Sequence, residues 1–209
     1  MGLRIPHNRV DELSREFEQF HTIKVENFVH GDLLRKITAS IATAKFSPRT
    51  DKGIAHELCM EESLPLHALW VSLNDTALFE FIHRVTGAEP IRCFRGRMYK
   101  LLPGGEYFDS WHDDAADGHR MVGMSINFSP EPYEGGVFEI KQLDPERYIR
   151  AMPNLGLGDA IFFRIGPQLK HRVSAMAGNR AKTAFAGWFQ DSPNFIDLLR
   201  ELSQETGHN

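Results

Sequence analysis

The chain is poor in cysteine: Cys59 and Cys93 are the only two in 209 residues. Two isolated thiols exclude a disulfide scaffold and a zinc ribbon, and are expected to be reduced. A basic excess is missing too. The chain has 24 Lys and Arg against 28 Asp and Glu, for a net charge of -4. That balance excludes a broad basic surface, and with it nucleic acid as an obligate partner. The small cluster Arg92, Arg95 and Arg97 is expected to be a solvated strand face, since 92 and 95 differ in parity. Long apolar runs are absent: no segment approaches the roughly 18 to 20 residues that span a bilayer. The N-terminus, MGLRIPHNRVDELSREF, has no apolar stretch of signal-peptide length. No membrane association and a cytoplasmic location are therefore expected. Internal repeats and low-complexity linkers are lacking as well. What remains is 42% hydrophobic and 25% charged, an ordinary globular composition able to bury one core.

Leu13, Phe17 and Phe20 have helical spacing within DELSREFEQF. HTIKVENFV alternates and reads as a strand. Leu33, Leu34, Ile37 and Ile41 form one face of a helix that Asp32 caps. Asn74 and Asp75 cap a further helix, TALFEFIHRVTG, which ends at Gly87. Between them, Ser47 to Leu64 shows no sustained period. A loop of that length suggests a lid over substrate. After Pro90 the texture changes. IRCFRGRMYKLL, MVGMSINFS, GGVFEIKQL, DAIFFRI and KTAFAGWFQ read as strands separated by Gly and Pro turns, which predicts a small β-sandwich or barrel. PNFIDLLRELSQET predicts a closing helix. The expectation is one α+β domain over residues 1–209: mainly helical support over 1–90, a β-barrel over 91–190 and a C-terminal helix over 191–209.

The densest chemistry lies in SWHDDAADGHR, Ser110 to Arg120. His112 and Asp114 are two residues apart, so along extended chain they point the same way and can reach one ion. His171, two strands downstream, is placed where an antiparallel barrel returns beside Asp114. Two histidines and a carboxylate on one face leave three coordination positions open, which suits a non-haem Fe(II) oxygenase. Asp113 and Asp117 do not share His112's direction; Asp113 reads as a support behind the ligands or a solvent-facing acid, and Asp117 as a turn acid. His119 reads as a loop residue, with a substrate contact as its second reading. Arg180 follows His171 by nine residues and opens an apolar strand that ends in Trp188, of the same parity. A planar guanidinium inside a barrel binds a carboxylate with two hydrogen bonds. Lys182 shares that face and competes for the role; Arg180 is preferred because its fork matches a carboxylate. Arg120 has two readings, a partner for Asp113, Asp117 or Glu139, and a contact to a substrate carboxylate. His56, His67 and His83 lack partner spacing and read as structural.

Taken in order, YKLLPGGEYFDSWHDD, Arg120, YEGGVFEI, LGLGDAIFF and HRVSAMAGNR resemble the Fe(II)/2-oxoglutarate-dependent dioxygenases, specifically their prolyl 4-hydroxylase-like branch. The likeness covers Ile91 to Gln190. It implies a double-stranded β-helix (a jelly-roll, cupin-like core) with N-terminal flanking helices and a short C-terminal helix. It implies Fe(II) held by His112, Asp114 and His171, with 2-oxoglutarate and O2 as cosubstrates. Arg180 would hold the distal carboxylate of 2-oxoglutarate, and Tyr99 and Trp188 would line its pocket. The Gly135–Gly136 pair would let a strand begin tightly against the barrel. The family often has a tyrosine seven residues after the strand-opening arginine, and here Asn127 takes that place as a possible donor to the cosubstrate. Halogenating relatives vacate the carboxylate position, so Asp114 implies hydroxylation. The expected substrate is a small molecule, amino acid or short peptide, with succinate and CO2 released. The alternatives are hydroxylation of a prolyl or other side chain on a protein partner and, from another class, a metal-binding barrel without turnover. The sequence leaves the oligomeric state open.

Overall fold

The computed structural model describes residues 2–51, 53–61, 63–116, 118–153, 156–193 and 196–197. Among the described residues, four α-helices form in the first half. Helix α1 (Val10–Phe20) buries Val10, Leu13 and Phe17 and ends at His21, whose φ of 55° is left-handed. Helix α2 (Gly31–Thr43) buries Ile37 and Ile41. Helix α3 (Leu64–Leu73) buries Leu69 and Leu73. Helix α4 (Thr76–Thr86) is capped by the Asp75 carboxylate, which accepts from the Ala77 N–H at 2.8 Å, and is stopped by Gly87 at φ 72°. These two caps satisfy the backbone groups that a helix end leaves unpaired.

Thirteen strands follow the alternation of the sequence: β1 (Thr22–Val25), β2 (Phe46–Asp51), β3 (Ala55–Met60), β4 (Cys93–Leu101), β5 (Phe108–Asp109), β6 (Arg120–Asn127), β7 (Glu134–Gly135), β8 (Phe138–Leu143), β9 (Glu146–Met152), β10 (Ala160–Arg164), β11 (Leu169–Val173), β12 (Met176–Ala177) and β13 (Lys182–Gln190). The large antiparallel sheet runs β1-β10-β6-β13-β4-β3-β2, with β5 paired to β3. A second sheet runs β11-β8-β9, and β12 pairs with β7. This is the double-stranded β-helix that the sequence resemblance implies.

Period-two alternation divides the large sheet between two cores. Phe94 and Met98 of β4, Val122, Met124 and Ile126 of β6, Phe162 of β10 and Phe185 and Phe189 of β13 pack on Leu13, Phe17, Phe81 and Ile82 of the helices. Tyr99, Leu101 and Ala184 turn the other way and pack with Tyr133, Val173 and Met176. A third cluster, with Phe138, Ile140, Phe163 and Leu169, closes the barrel on the β8 side. Each fully buried phenylalanine contributes roughly 1.5–3 kcal/mol. The helices are thus a backing that keeps the large sheet curled.

Two expectations are corrected: Asp32 does not cap α2 but lies within its first turn, after an N-cap at His30, and pairs with Arg35; and the stretch expected to be a lid loop is folded. Ser47 to Leu64 is not a loop. It contains the β2–β3 hairpin, in register from Phe46↔Met60 to Asp51↔Ala55, and β3 extends the large sheet through Leu58↔Lys100 and Cys59↔Tyr99. The apolar period is missing because β2 is an exposed edge, where Pro48 is tolerated, and because one of the two buried positions of β3 is filled by Glu57. Helix α3 was hidden because LPLHALWVSL is apolar all round; Leu64 and Val71 remain exposed. The closing helix expected over Pro193–Thr206 lies outside the described residues except for Pro193, Ile196 and Asp197. No helix among the described residues is long and apolar enough to cross a membrane.

Candidate metal centre

The backbone brings two of the sequence-picked ligands together directly. His112 and His171 face each other in an antiparallel bridge: the His112 N–H donates to the His171 carbonyl at 3.1 Å, and the reverse bond is 2.9 Å. Such hydrogen-bonded pairs hold their Cα atoms about 5.5 Å apart with both side chains on one face. The ring centroids accordingly lie 4.3 Å apart. Asp114 joins them by a different route from the extended chain assumed above. Its φ is 58°, in the left-handed region that aspartate visits more readily than most residues. This turn folds the carboxylate back: Asp114 Oδ2 is 3.2 Å from His171 Nε2 and 3.5 Å from His112 Nε2. One ligand atom from each of the three residues lies within 4.8 Å of the others.

The surroundings fix these groups. His112 Nδ1 lies 2.7 Å from the Ser110 carbonyl and 3.3 Å from Asp109 Oδ1, which leaves Nε2 for the centre. Trp188 Nε1 donates to Asp114 Oδ2 at 2.6 Å, and Arg120 donates to Asp114 Oδ1 at 3.0 Å. The Arg120 guanidinium also stacks over the Trp188 ring at 3.7 Å. Burial disfavours charge on Asp114, but hydrogen bonds and charge from His112 and His171 outweigh it and hold the carboxylate far below its usual pKa. For His112, burial lowers the pKa, yet Asp114 and Asp109 push it up to about 9. His171 is lowered by its complete burial despite Asp114. One carboxylate thus sits between two imidazoles, and a cation at their Nε2 atoms would replace the proton that Asp114 and Asp109 favour on His112. The donor set fits iron: two imidazoles and one carboxylate on one face, open opposite.

The other residues picked from the sequence separate. Tyr99 is 5% exposed and lines the cavity beside the triad, with its hydroxyl kept protonated by burial and by Asp109 and Glu57. Trp188 lines it as well. Arg180 does not. It is half exposed and paired with Glu131 on the surface, because β13 begins only at Lys182 and the alternation that would turn 180 inward has not started. Asn127 is fully buried, but its amide donates to the Gly156 carbonyl at 3.1 Å and its oxygen accepts from the Ser129 N–H, so it secures a turn and does not line the cavity. Asp113 caps its own turn through the Ala115 N–H, and His119 pairs with Asp191. Asp117 lies outside the described residues.

Lys182, ranked second in the sequence reading, is the cation that points inward. It is 1% exposed, and its Nζ donates to the Gly136 carbonyl at 2.8 Å. No carboxylate among the described residues forms an ion pair with it. Burial lowers its pKa to about 8, with Asp109 opposing. Gly135 and Gly136, at φ 72° and 59°, make this approach possible: a Cβ on Gly136 would lie 3.2 Å from Lys182 Cδ, and one on Gly135 would strike the Ala175 carbonyl at 2.1 Å. The signal available in the sequence was a single charge opening an otherwise uncharged strand, KTAFAGWF. Two further charged residues on the cavity wall, Asp109 and Glu57, went unread, and a third, Arg97, was misplaced. Asp109 accepts from the Val173 N–H at 2.7 Å, and burial raises its pKa to about 6. Arg97 was assigned to a solvated face, but on β4 it shares the inward side with Tyr99 and Leu101.

Comparison with known proteins agrees with this geometry. Residues 96–190 match the family described as 2OG-Fe(II) oxygenase superfamily. A Pseudomonas putida prolyl-4-hydroxylase is similar in structure, with a TM-score of 0.63 at 17% identity over 88% of this chain and 100% of that one. A Trichoplax adhaerens prolyl hydroxylase in complex with a hypoxia inducible factor peptide fragment gives 0.66 at 12% identity, over 88% and 90%. The non-heme alpha ketoglutarate dependent carbocyclase SnoK, from nogalamycin biosynthesis, gives 0.66 at 14% identity, over 91% and 87%. No curated protein matches significantly in sequence.

Proposed function

We propose, for a chain with a 2OG-Fe(II) oxygenase region over residues 96–190, a dioxygenase that hydroxylates an unactivated C–H bond of a small molecule, amino acid or short peptide. Proteins of this superfamily use Fe(II), 2-oxoglutarate and O2. In this reading His112 Nε2, Asp114 and His171 Nε2 hold the iron, and Lys182 holds the distal carboxylate of 2-oxoglutarate. The observation that carries it is Lys182 itself. A buried ammonium with one carbonyl acceptor is costly unless an anion completes it. The cosubstrate carboxylate is that anion; Tyr99, Leu101 and Val173 line the cavity beside the triad, and Leu101 is the strand partner of Lys182.

When bound, iron supplies the oxidising chemistry, activating O2 as 2-oxoglutarate is decarboxylated to succinate. The chain supplies orientation. The Trp188 indole and Arg120 fix both oxygens of Asp114, so the carboxylate presents one defined face. Asp109 and the Ser110 carbonyl hold the His112 ring in a single orientation. The protonated Tyr99 hydroxyl is a donor on the cavity wall, and Phe138, Phe163 and Met124 keep the floor dry.

The solved relatives include proteins named for prolyl hydroxylation and for carbocyclisation, so the fold alone does not choose between peptide and small substrate. The test is succinate release from Fe(II)-loaded protein with 2-oxoglutarate and O2, together with metal binding by calorimetry. His112→Ala, Asp114→Ala and His171→Ala are each expected to abolish both. Metal binding and turnover retained in any one of them would remove that residue from the centre.

A further inference from the structure

The cavity wall itself carries a cation, Arg97, while Lys182 is buried behind that wall. Arg97 lines the cavity from β4, where it sits opposite Ala186 of β13. Lys182 sits opposite Leu101. The two cations are therefore four residues apart along the paired strands, about 13 Å at the usual rise of about 3.3 Å per residue. One compact dicarboxylate anchored at Lys182 leaves Arg97 to something else.

Arg97 is held rather than consumed. Its Nε donates to Glu57, whose side chain is only 4% exposed, and Arg49 reaches the same carboxylate at 3.1 Å from the solvent side. The Arg97 guanidinium lies 5.7 Å from the Trp188 ring centre, on the indole that bonds Asp114. Its two terminal nitrogens have no protein acceptor among the described residues. An arginine fixed through Nε keeps its end-on pair of N–H donors, a geometry that matches a carboxylate with little rotamer entropy left to lose. Asp51, at the end of β2, lines the same cavity and likewise has no cationic partner among the described residues. A fork for a carboxylate and a carboxylate for an ammonium thus share one wall.

We propose that Arg97, braced by Glu57, binds the carboxylate of the prime substrate, and that this substrate is a free amino acid whose ammonium faces Asp51. This deepens the oxygenase reading above and rests on it. The reacting C–H belongs to the amino acid's side chain, which Arg97 and Trp188 direct toward the triad. A peptide bond at the carboxylate end would remove the group that Arg97 reads.

The experiment uses the full chain loaded with Zn(II) and 2-oxoglutarate, which binds without turning over. Free aliphatic, aromatic and basic L-amino acids are titrated by calorimetry beside their primary amides and N-acetyl derivatives. At least one free acid is expected to bind, with its amide roughly 10- to 100-fold weaker, the range for a lost hydrogen bond to a charged group. Because Arg97→Ala alone would strand Glu57, the principal variant is Glu57→Gln with Arg97→Gln, which removes both charges together. It is expected to bind acid and amide within about threefold of each other on the same scale. Arg97→Lys, which keeps the charge without the fork, should fall between. No acid binding better than its amide, or a preference that survives the double exchange, overturns the proposal while leaving the oxygenase reading intact. Equal binding of the acid and its N-acetyl form removes the ammonium and Asp51 from it. Failure of Zn(II)-loaded protein to take up 2-oxoglutarate at all overturns the oxygenase reading, and this proposal with it.

Discussion

Replacing Lys182 by methionine should make the ligand-free protein more stable and the 2-oxoglutarate complex weaker, a pair of opposite signs that a purely structural lysine would not give. The magnitude follows from the burial of the ammonium. Its pKa falls from 10.5 to about 8, chiefly through burial, with Asp109 pulling the other way. A shift of that size costs roughly 3 kcal/mol at neutral pH at about 1.4 kcal/mol per unit. Methionine has similar bulk and no charge, so it relieves that cost. It also strands the Gly136 carbonyl, which loses its donor at a cost of about 1 kcal/mol. The net is a stabilisation of about 2 kcal/mol, read as a higher midpoint in denaturant without cosubstrate. Removing one partner of a buried charge pair costs about 2–5 kcal/mol, so 2-oxoglutarate should bind at least 30-fold more weakly. Equilibrium unfolding and calorimetry with Zn(II) measure the two effects. Lys182→Met that destabilises the free protein and binds 2-oxoglutarate normally would refute the reasoning.

Arg180→Ala is the control for the same assignment: its guanidinium is half exposed and paired with Glu131, so 2-oxoglutarate affinity should change by less than about twofold, within the range of a surface ion pair. The pH dependence has a fixed sign. Below about 8 Lys182 carries the charge that the cosubstrate needs; above it the free protein must take up a proton to bind, so affinity should fall up to tenfold per unit. The folded pKa lies below the unfolded one, so the stability of the free wild type should rise between about pH 8 and 10.5, and that rise should be missing in Lys182→Met. Trp188→Phe deletes the donor to Asp114 Oδ2 and thins the platform beneath Arg120; metal affinity, measured by titration with Zn(II), should fall roughly 10- to 100-fold, as for other groups that orient a ligand. Unchanged affinity would mean that Arg120 alone orients the carboxylate.

The division between what could be read from the chain and what could not follows the range of the interactions. His112, Asp114 and His171 were legible because imidazole and carboxylate in that order have few reasons to recur around an apolar barrel. The geometry that joins them was not. A left-handed Asp114 and a backbone bridge from His112 to His171 are properties of pairing across the sheet, which one-dimensional alternation does not contain. Arg180 and Lys182 are separated by one boundary. Parity is right for both, and only the point at which β13 begins to pair decides which faces inward. The β2–β3 hairpin was lost for a related reason. One of the two buried positions of β3 is Glu57, a charge where a strand pattern demands an apolar residue. The exception exists because Arg97 stands beside it on the neighbouring strand β4, which follows in sequence only after helices α3 and α4. Residues that break the local pattern are expected where a site imposes its own requirements. Lys182 at the head of an apolar strand and Glu57 in the middle of another are both such breaks. Glu57 lies on the cavity wall, and Lys182 is buried behind it, opposite the lining residue Leu101 on the neighbouring strand.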